Sequence, residues 1–215
     1  MEKSNKGILY FIIKSKDGSN TVFKKDCVGY ISVYSFGAEQ WVSISKLEDI
    51  IIDGDVLCEI PLLEVEKVVN EQRDKLNHLL KVAMSVANNA HKGQYDKGGK
   101  PYILHPLAVA NSLNDTEQKI IAYLHDVCED TSITLYDLAN LGFTNHILYA
   151  LKLLTKQKGI PYMDYIKGIK TNRNATEVKK ADLCHNMDLS RIPNPSEKDK
   201  KRVEKYKKAL SYLIE

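Results

Sequence analysis

His125-Asp126-Val127-Cys128-Glu129-Asp130 gathers an imidazole and three carboxylates into six consecutive residues. On a continuous helix, positions 125, 126, 129 and 130 share an arc of about 140°, since each residue turns the helix by about 100°. Carboxylates stacked along one half-buried strip repel each other unless a cation sits among them. A solvated acidic face is the plainer reading of such a strip. The flanks oppose it: Ile120, Ile121, Ala122, Leu124 and Val127 make the segment apolar almost all round, as in an interior helix.

Further out, two segments supply partners. Tyr102-Ile103-Leu104-His105-Pro106 sets a histidine ahead of a proline that can open a helix. A lone histidine is commonly structural. Lys180-Ala181-Asp182-Leu183-Cys184-His185-Asn186 puts Asp182 and Asn186 one helical turn apart on one face. A His, a His-Asp pair and a later Asp together offer two nitrogen and two oxygen donors. That set suits Mn²⁺, Fe²⁺ or Zn²⁺ with positions left for water.

The texture changes near residue 65. Before it, short β-branched and aromatic runs (Ile8–Ile13, Thr21–Phe23, Tyr30–Tyr34, Trp41–Ile44, Val56–Ile60) are separated by turn signals at Asp17-Gly18-Ser19-Asn20, Gly37-Ala38 and Asp53-Gly54-Asp55. Residues 1–65 are expected to form a small antiparallel β module with Trp41 in its core and no chemical motif. Beyond it, Val69, Leu76, Leu80, Ala83, Ala87 and Ala90 recur at helical spacings and mark a long helix reaching Ala90. Shorter helices are expected over 106–113, 116–128, 135–141, 145–156, 161–171, 175–190 and 197–214. Thr134 with Asp137 reads as a capping box, Gly142 as a C-terminal stop and Ser196 as an N-cap. The expected fold is mainly α, with a helical domain over 66–215 behind the β module.

Of the 215 residues, 43% are apolar and 27% charged, which supplies a core and excludes disordered and fibrous classes. No apolar run reaches the ~20 residues of a spanning helix, and no secretory leader is expected at the start. Cys27, Cys58, Cys128 and Cys184 are scattered without a CxxC pair, so a reducing, cytoplasmic setting is expected. The net charge is +3, but residues 1–66 hold 7 basic and 11 acidic side chains and the remainder 24 and 17. Seven of the basic residues crowd into Lys198–Lys208. Val203, Tyr206, Leu210 and Leu213 give that segment an inward face, so it reads as a closing helix rather than a nucleic-acid surface.

Four stretches carry a resemblance to a known family: Ala90-His91-Lys92-Gly93-Gln94-Tyr95, Lys100-Pro101-Tyr102-Ile103-Leu104-His105-Pro106, Leu124-His125-Asp126-Val127-Cys128-Glu129-Asp130-Thr131 and Lys180-Ala181-Asp182-Leu183-Cys184-His185-Asn186-Met187. The order His, His-Asp, Asp is that of the HD phosphohydrolase superfamily. The wider wording resembles the hydrolase domain of RelA/SpoT-type alarmone enzymes and their small stand-alone relatives, over residues 75–192. The resemblance implies an all-helical HD-domain bundle that removes the 3′-pyrophosphate from (p)ppGpp using Mn²⁺. It implies His105, His125, Asp126 and Asp182 as metal ligands, and Glu129 and Asp130 as acids that orient or deprotonate the attacking water. Lys97, Tyr102 and Asn186 are the implied substrate contacts. Arg191 is a further candidate for phosphate. The expected partner is a phosphorylated nucleotide, foremost a guanosine alarmone, with no membrane and no nucleic acid; a homo-oligomer stays open. No synthetase domain is expected after residue 192.

The resemblance departs at one position. Where the alarmone hydrolases usually read Gln-Tyr-Arg-Lys-Ser-Gly, this chain reads Gln94-Tyr95-Asp96-Lys97-Gly98-Gly99. An acid there is expected to repel a polyphosphate, or at least to forfeit a planar donor fork. Two other functions therefore stand beside the first. One is the same chemistry on another phosphorylated nucleotide such as NADPH. The other is a nucleotide-sensing or interaction module without turnover. His185 reads as support for the site, His91 and Lys92 as a helix end, and Cys128 and Cys184 as small packed side chains.

Overall fold

Residues alternating between two faces pair into a sheet in the first part of the chain. The computed structural model describes residues 8–14, 20–25, 31–35, 38, 40–44 and 56–215. The chain divides into two compact units, Met1–Leu76 and Asn77–Glu215, at a point within its longest helix. In the first unit, β1 (Leu9–Lys14), β2 (Asn20–Lys25), β3 (Ile31–Ser35), β4 (Gln40–Ile44) and β5 (Val56–Glu59) lie in the order β4-β3-β2-β1-β5, and each neighbouring pair is antiparallel. Ile12 stands opposite Val22 and Cys58, while Phe11 stands opposite Phe23 with the rings stacked 4.9 Å apart. A slip of one residue would exchange these two sets. Ile12 and Val22 bury against Ile60, Val65 and Val69. Each expected strand is present, with small shifts at the ends. The turns expected at Asp17–Ser19, Gly37 and Asp53–Asp55 lie outside the described residues, as do Cys27 and the Trp41 side chain.

The helices are α1 (Leu62–Ala90), α2 (Leu104–Asn111), α3 (Thr116–Leu124), α4 (Val127–Asp130), α5 (Leu135–Asn140), α6 (Asn145–Leu154), α7 (Tyr162–Lys170), α8 (Arg173–Met187) and α9 (Glu197–Ile214), with a 3₁₀ turn at Leu189–Arg191 before α9. In the second unit α3 is the hub. Its Ile120, Ile121, Ala122 and Leu124 are fully buried, and it packs against α2, α6 and α8. Burial of each such large aliphatic side chain stabilises by about 1.5–3 kcal/mol, so this short run anchors the helices that carry the polar residues around it. Asp115 starts α3 by accepting from the backbone N–H groups of Glu117 and Gln118 at 2.9 and 3.2 Å. The capping box Thr134–Asp137 and the N-cap at Ser196 form as the sequence indicates, Asp199 completing a second box at Ser196, and Gly142 follows α5 at a φ of +88°.

The helix expected over 116–128 is interrupted. α3 ends at Leu124, His125 and Asp126 form a turn, and α4 begins at Val127. His125 Nδ1 lies 2.7 Å from the Ala122 carbonyl oxygen, a side-chain partner competing with the helical ladder at its end. The backbone nonetheless keeps right-handed helical dihedrals at both turn residues. Glu129 Oε2 turns away to accept from the Lys156 backbone N–H at 3.1 Å. The need for a cation rests instead on Asp126 together with Asp182, which arrives from α8.

Candidate metal centre and its flanking cavities

Three elements deliver the central group. α2 carries His105 in its first turn, the break after α3 presents His125 and Asp126, and α8 brings Asp182. The ring nitrogen His105 Nε2 lies 3.4 Å from Asp126 Oδ2 and 3.2 Å from Asp182 Oδ1. His125 Nε2 lies 3.2 and 3.7 Å from the same two oxygens. His105, His125 and Asp126 have the spacing of a metal-binding set. His105, His125 and Asp182 are all nearly inaccessible to solvent.

The donor chemistry fits a divalent ion. His125 donates from Nδ1 to the Ala122 carbonyl, which leaves Nε2 unprotonated in the neutral ring. That Nε2 is buried and makes no hydrogen bond, although two carboxylate oxygens face it. A lone pair aimed at two anions is unfavourable unless a cation lies between them. Without an ion, protons take that place. Burial opposes the charged imidazoles, yet hydrogen bonds to Asp126 and Asp182 push the His105 pKa up to about 9, and the Asp126 charge raises that of His125. Burial likewise opposes the Asp126 anion, but His125 and His105 draw its pKa down to about 2. A bound divalent ion would displace these shared protons.

A surrounding layer holds the group in place. The Tyr102 hydroxyl donates to Asp126 Oδ2 at 2.7 Å, Lys179 Nζ donates to Asp182 Oδ2 at 2.8 Å, and the Asn186 amide donates to Asp182 Oδ1. His185 Nδ1 lies 2.7 Å from His105 Nδ1, so it supports a ring of the set from behind. Burial and the Asp126 charge raise the Asp130 pKa above that of an ordinary aspartate.

Two cavities meet at this group, and both are lined by Tyr102 and Asn186. One, of about 500 Å³, is bordered by Glu129, Asp130, Lys156, Lys179, Lys205 and Tyr206. The other, of about 260 Å³, is bordered by Tyr95, Asp96, Lys97, Arg191, Ile192 and Arg202. Lys97 and Arg191 are thus on the smaller side, and neither is a free cation. Lys97 Nζ pairs with Asp199 Oδ1 at 2.7 Å, and Arg191 Nη2 with Asp96 Oδ2 at 3.2 Å.

Asp96 is not a bare acid on that wall. Its Oδ2 meets the Arg191 guanidinium, and its Oδ1 accepts from the backbone N–H groups of Gly98 and Lys100 at 2.9 Å each. A side chain at Gly98 would place its Cβ 2.2 Å from the Arg191 carbonyl oxygen, so the loop and the segment around Arg191 approach as closely as glycine permits. The sequence reading passed over Lys156, Tyr162 and Lys205 and took Tyr206 for core. Tyr162 and Tyr165 at an i, i+3 spacing, with Tyr206 on a separate helix, were the available signal of an aromatic wall.

No protein-family model matches the chain. The bifunctional (p)ppGpp synthase/hydrolase RelA of Mycobacterium tuberculosis is 31% identical over 158 aligned residues, covering 67% of this chain and 21% of that protein. The bifunctional (p)ppGpp synthase/hydrolase SpoT of Escherichia coli K12 is 33% identical over 123 residues, covering 50% and 17%. The chain thus spans about a fifth of the length of the curated relatives it matches. A solved structure described as a metazoan ortholog of SpoT that hydrolyzes ppGpp superposes with a TM-score of 0.55 at 20% identity, covering 63% of this chain and 85% of that one. That likeness is one of fold. Together with the order His105, His125-Asp126, Asp182, these similarities identify the helical unit as a RelA/SpoT hydrolase-like HD domain.

Proposed function

We propose that this chain is a divalent-metal-dependent phosphohydrolase that removes the 3′-pyrophosphate of (p)ppGpp, working with Mn²⁺ in the cytoplasm. The observation that carries the reading is the buried His125 Nε2, which makes no hydrogen bond and faces the Asp126 and Asp182 oxygens. His105, His125, Asp126 and Asp182 would hold the ion, which when bound supplies Lewis-acid charge and lowers the pKa of water. Tyr102 keeps Asp126 oriented by its donated hydrogen bond, and Lys179 does the same for Asp182. Asp130, with its raised pKa and its place on the wall of the larger cavity, is the residue suited to take the water's proton. Glu129 lies on the same wall, its carboxylate anchored to the Lys156 backbone N–H.

The test is turnover by Mn²⁺-loaded protein against chelated protein, with ppGpp and NADPH offered in parallel and products separated by chromatography. Pyrophosphate released from ppGpp only in the presence of metal is the expected result. Cleavage of NADPH alone would keep the chemistry and replace the substrate. Bound metal with no turnover of either would move the reading to a nucleotide-sensing module. No helix among the described residues is long and apolar enough to cross a membrane.

A further inference from the structure

The larger cavity contains a cation that the hydrolytic chemistry does not use. Lys205 projects from α9 onto its rim, and among the described residues no carboxylate lies within ion-pair distance of its ammonium. Of the other basic residues on α9, Lys200 and Lys207 pair with Glu197 and Glu204, and Arg202 pairs with Asp199. Lys205 Nζ instead sits 4.3 Å from the centre of the Tyr162 ring and 5.3 Å from that of Tyr206. Aromatic faces hold an ammonium in position without cancelling its charge. Partial burial and the nearby Arg202, Lys156 and Lys179 pull its pKa below that of an ordinary lysine. An ammonium held on aromatic faces without a carboxylate against it gains a counter-charge when a polyanion enters.

Lys179 is already committed to Asp182, so it belongs to the metal group. Glu129 and Asp130 occupy the wall beside Asp126, which leaves the α9 side of the cavity for charge remote from the bond being broken. We propose that Lys205 is a specificity-determining residue that holds the uncleaved phosphoryl group of a nucleotide phosphorylated at both ends. This rests on the hydrolase reading above and adds to it a preference: substrates carrying a second phosphate are selected over those phosphorylated only at the reacting position. A single charge-assisted contact to phosphate corresponds to about tenfold in binding.

The experiment compares wild type, Lys205→Gln and Lys208→Gln on ppGpp and on guanosine 3′-diphosphate, which lacks the 5′ phosphates. Lys208 is exposed on the same helix and lines neither cavity, so its variant controls for lost net charge. For Lys205→Gln the KM for ppGpp is expected to rise about tenfold with kcat nearly unchanged, and the KM for guanosine 3′-diphosphate to stay as in wild type. An equal rise on both substrates, or on neither, overturns the proposal. A second readout needs no turnover: binding of inorganic pyrophosphate to chelator-treated protein, followed by calorimetry. The metal-free carboxylates repel that anion, so its binding reports the lysines. Binding by wild type that weakens about tenfold in Lys205→Gln supports the assignment, and equal affinity or no binding by wild type refutes it. An inactive wild type that still binds pyrophosphate through Lys205 would remove the hydrolase reading and leave the anion site standing.

Discussion

The two cavities beside the central group settle their charges in opposite ways. On the smaller side every named cation has an acid against it: Arg191 with Asp96, and Lys97 and Arg202 with Asp199. On the larger side Lys205 rests on tyrosine rings and Lys179 is bound into the Asp182 end of the metal set. A wall whose charges are already matched suits the neutral base and sugar of a nucleotide; a wall with an unmatched ammonium suits phosphate. The contrast also bears on Asp96. Its carboxylate faces the matched side, where it neutralises an arginine, and it is absent from the wall where phosphate would lie.

The contrast breaks most completely at Asp126, a carboxylate of the central group on the wall of the larger cavity. Asp126→Asn leaves shape and volume but removes an anion from the metal set. A bound ion contributes several kcal/mol of stabilisation to the reacting charge, so kcat/KM is expected to fall by about three orders of magnitude, with metal content falling in parallel. Elemental analysis and steady-state turnover on the same preparation check this. Full activity in the variant would mean that the ligand set is wrongly assigned. Tyr102→Phe should do less. It removes only the hydroxyl that orients Asp126, and losses of metal affinity or activity from such supporting partners run about 10–100-fold. A variant indistinguishable from wild type in both would show that Tyr102 merely fills the border between the cavities.

Much of this was legible in the sequence because it rests on local rules. Helix periodicity, the caps at Thr134 and Ser196 and the His105, His125-Asp126 and Asp182 spacing are properties of short segments, and each reappears in the structure. The break at His125 was not legible, since the apolar pattern around it continues without a glycine or proline. It is a side-chain hydrogen bond to Ala122 that competes with the ladder there. The pairings Asp96–Arg191 and Lys97–Asp199 join positions far apart in the chain, and nothing in either segment announces the other. For the same reason Lys205 read as one lysine in a basic run. Its distinction is its seat on the Tyr162 and Tyr206 rings at the cavity, which only the packing of α7 against α9 makes visible.

Two smaller effects probe the matched wall. Asp96→Ala removes three accepted hydrogen bonds and leaves the Arg191 guanidinium, itself partly buried, without its acid. Denaturant unfolding should show a loss of about 1–3 kcal/mol, and an unchanged midpoint would mean that the loop does not depend on this carboxylate. The Asp199 effect is finer and shows as a pH dependence. Hydrogen bonds from Lys97 and then from Ser196 hold its carboxyl well below the ordinary aspartate value of 3.8. A carboxylate with a lowered folded-state pKa contributes stability above its unfolded pKa and loses it as the pH falls toward the folded value. Asp199→Asn abolishes that titration while keeping an amide able to cap α9. Thermal unfolding of the two proteins should therefore differ most near neutrality, with wild type the more stable. The gap should begin to close as the pH drops through 3.8. A gap that stays constant down the acid range would assign the effect to capping geometry alone, and would strip the matched wall of one of its charge pairs.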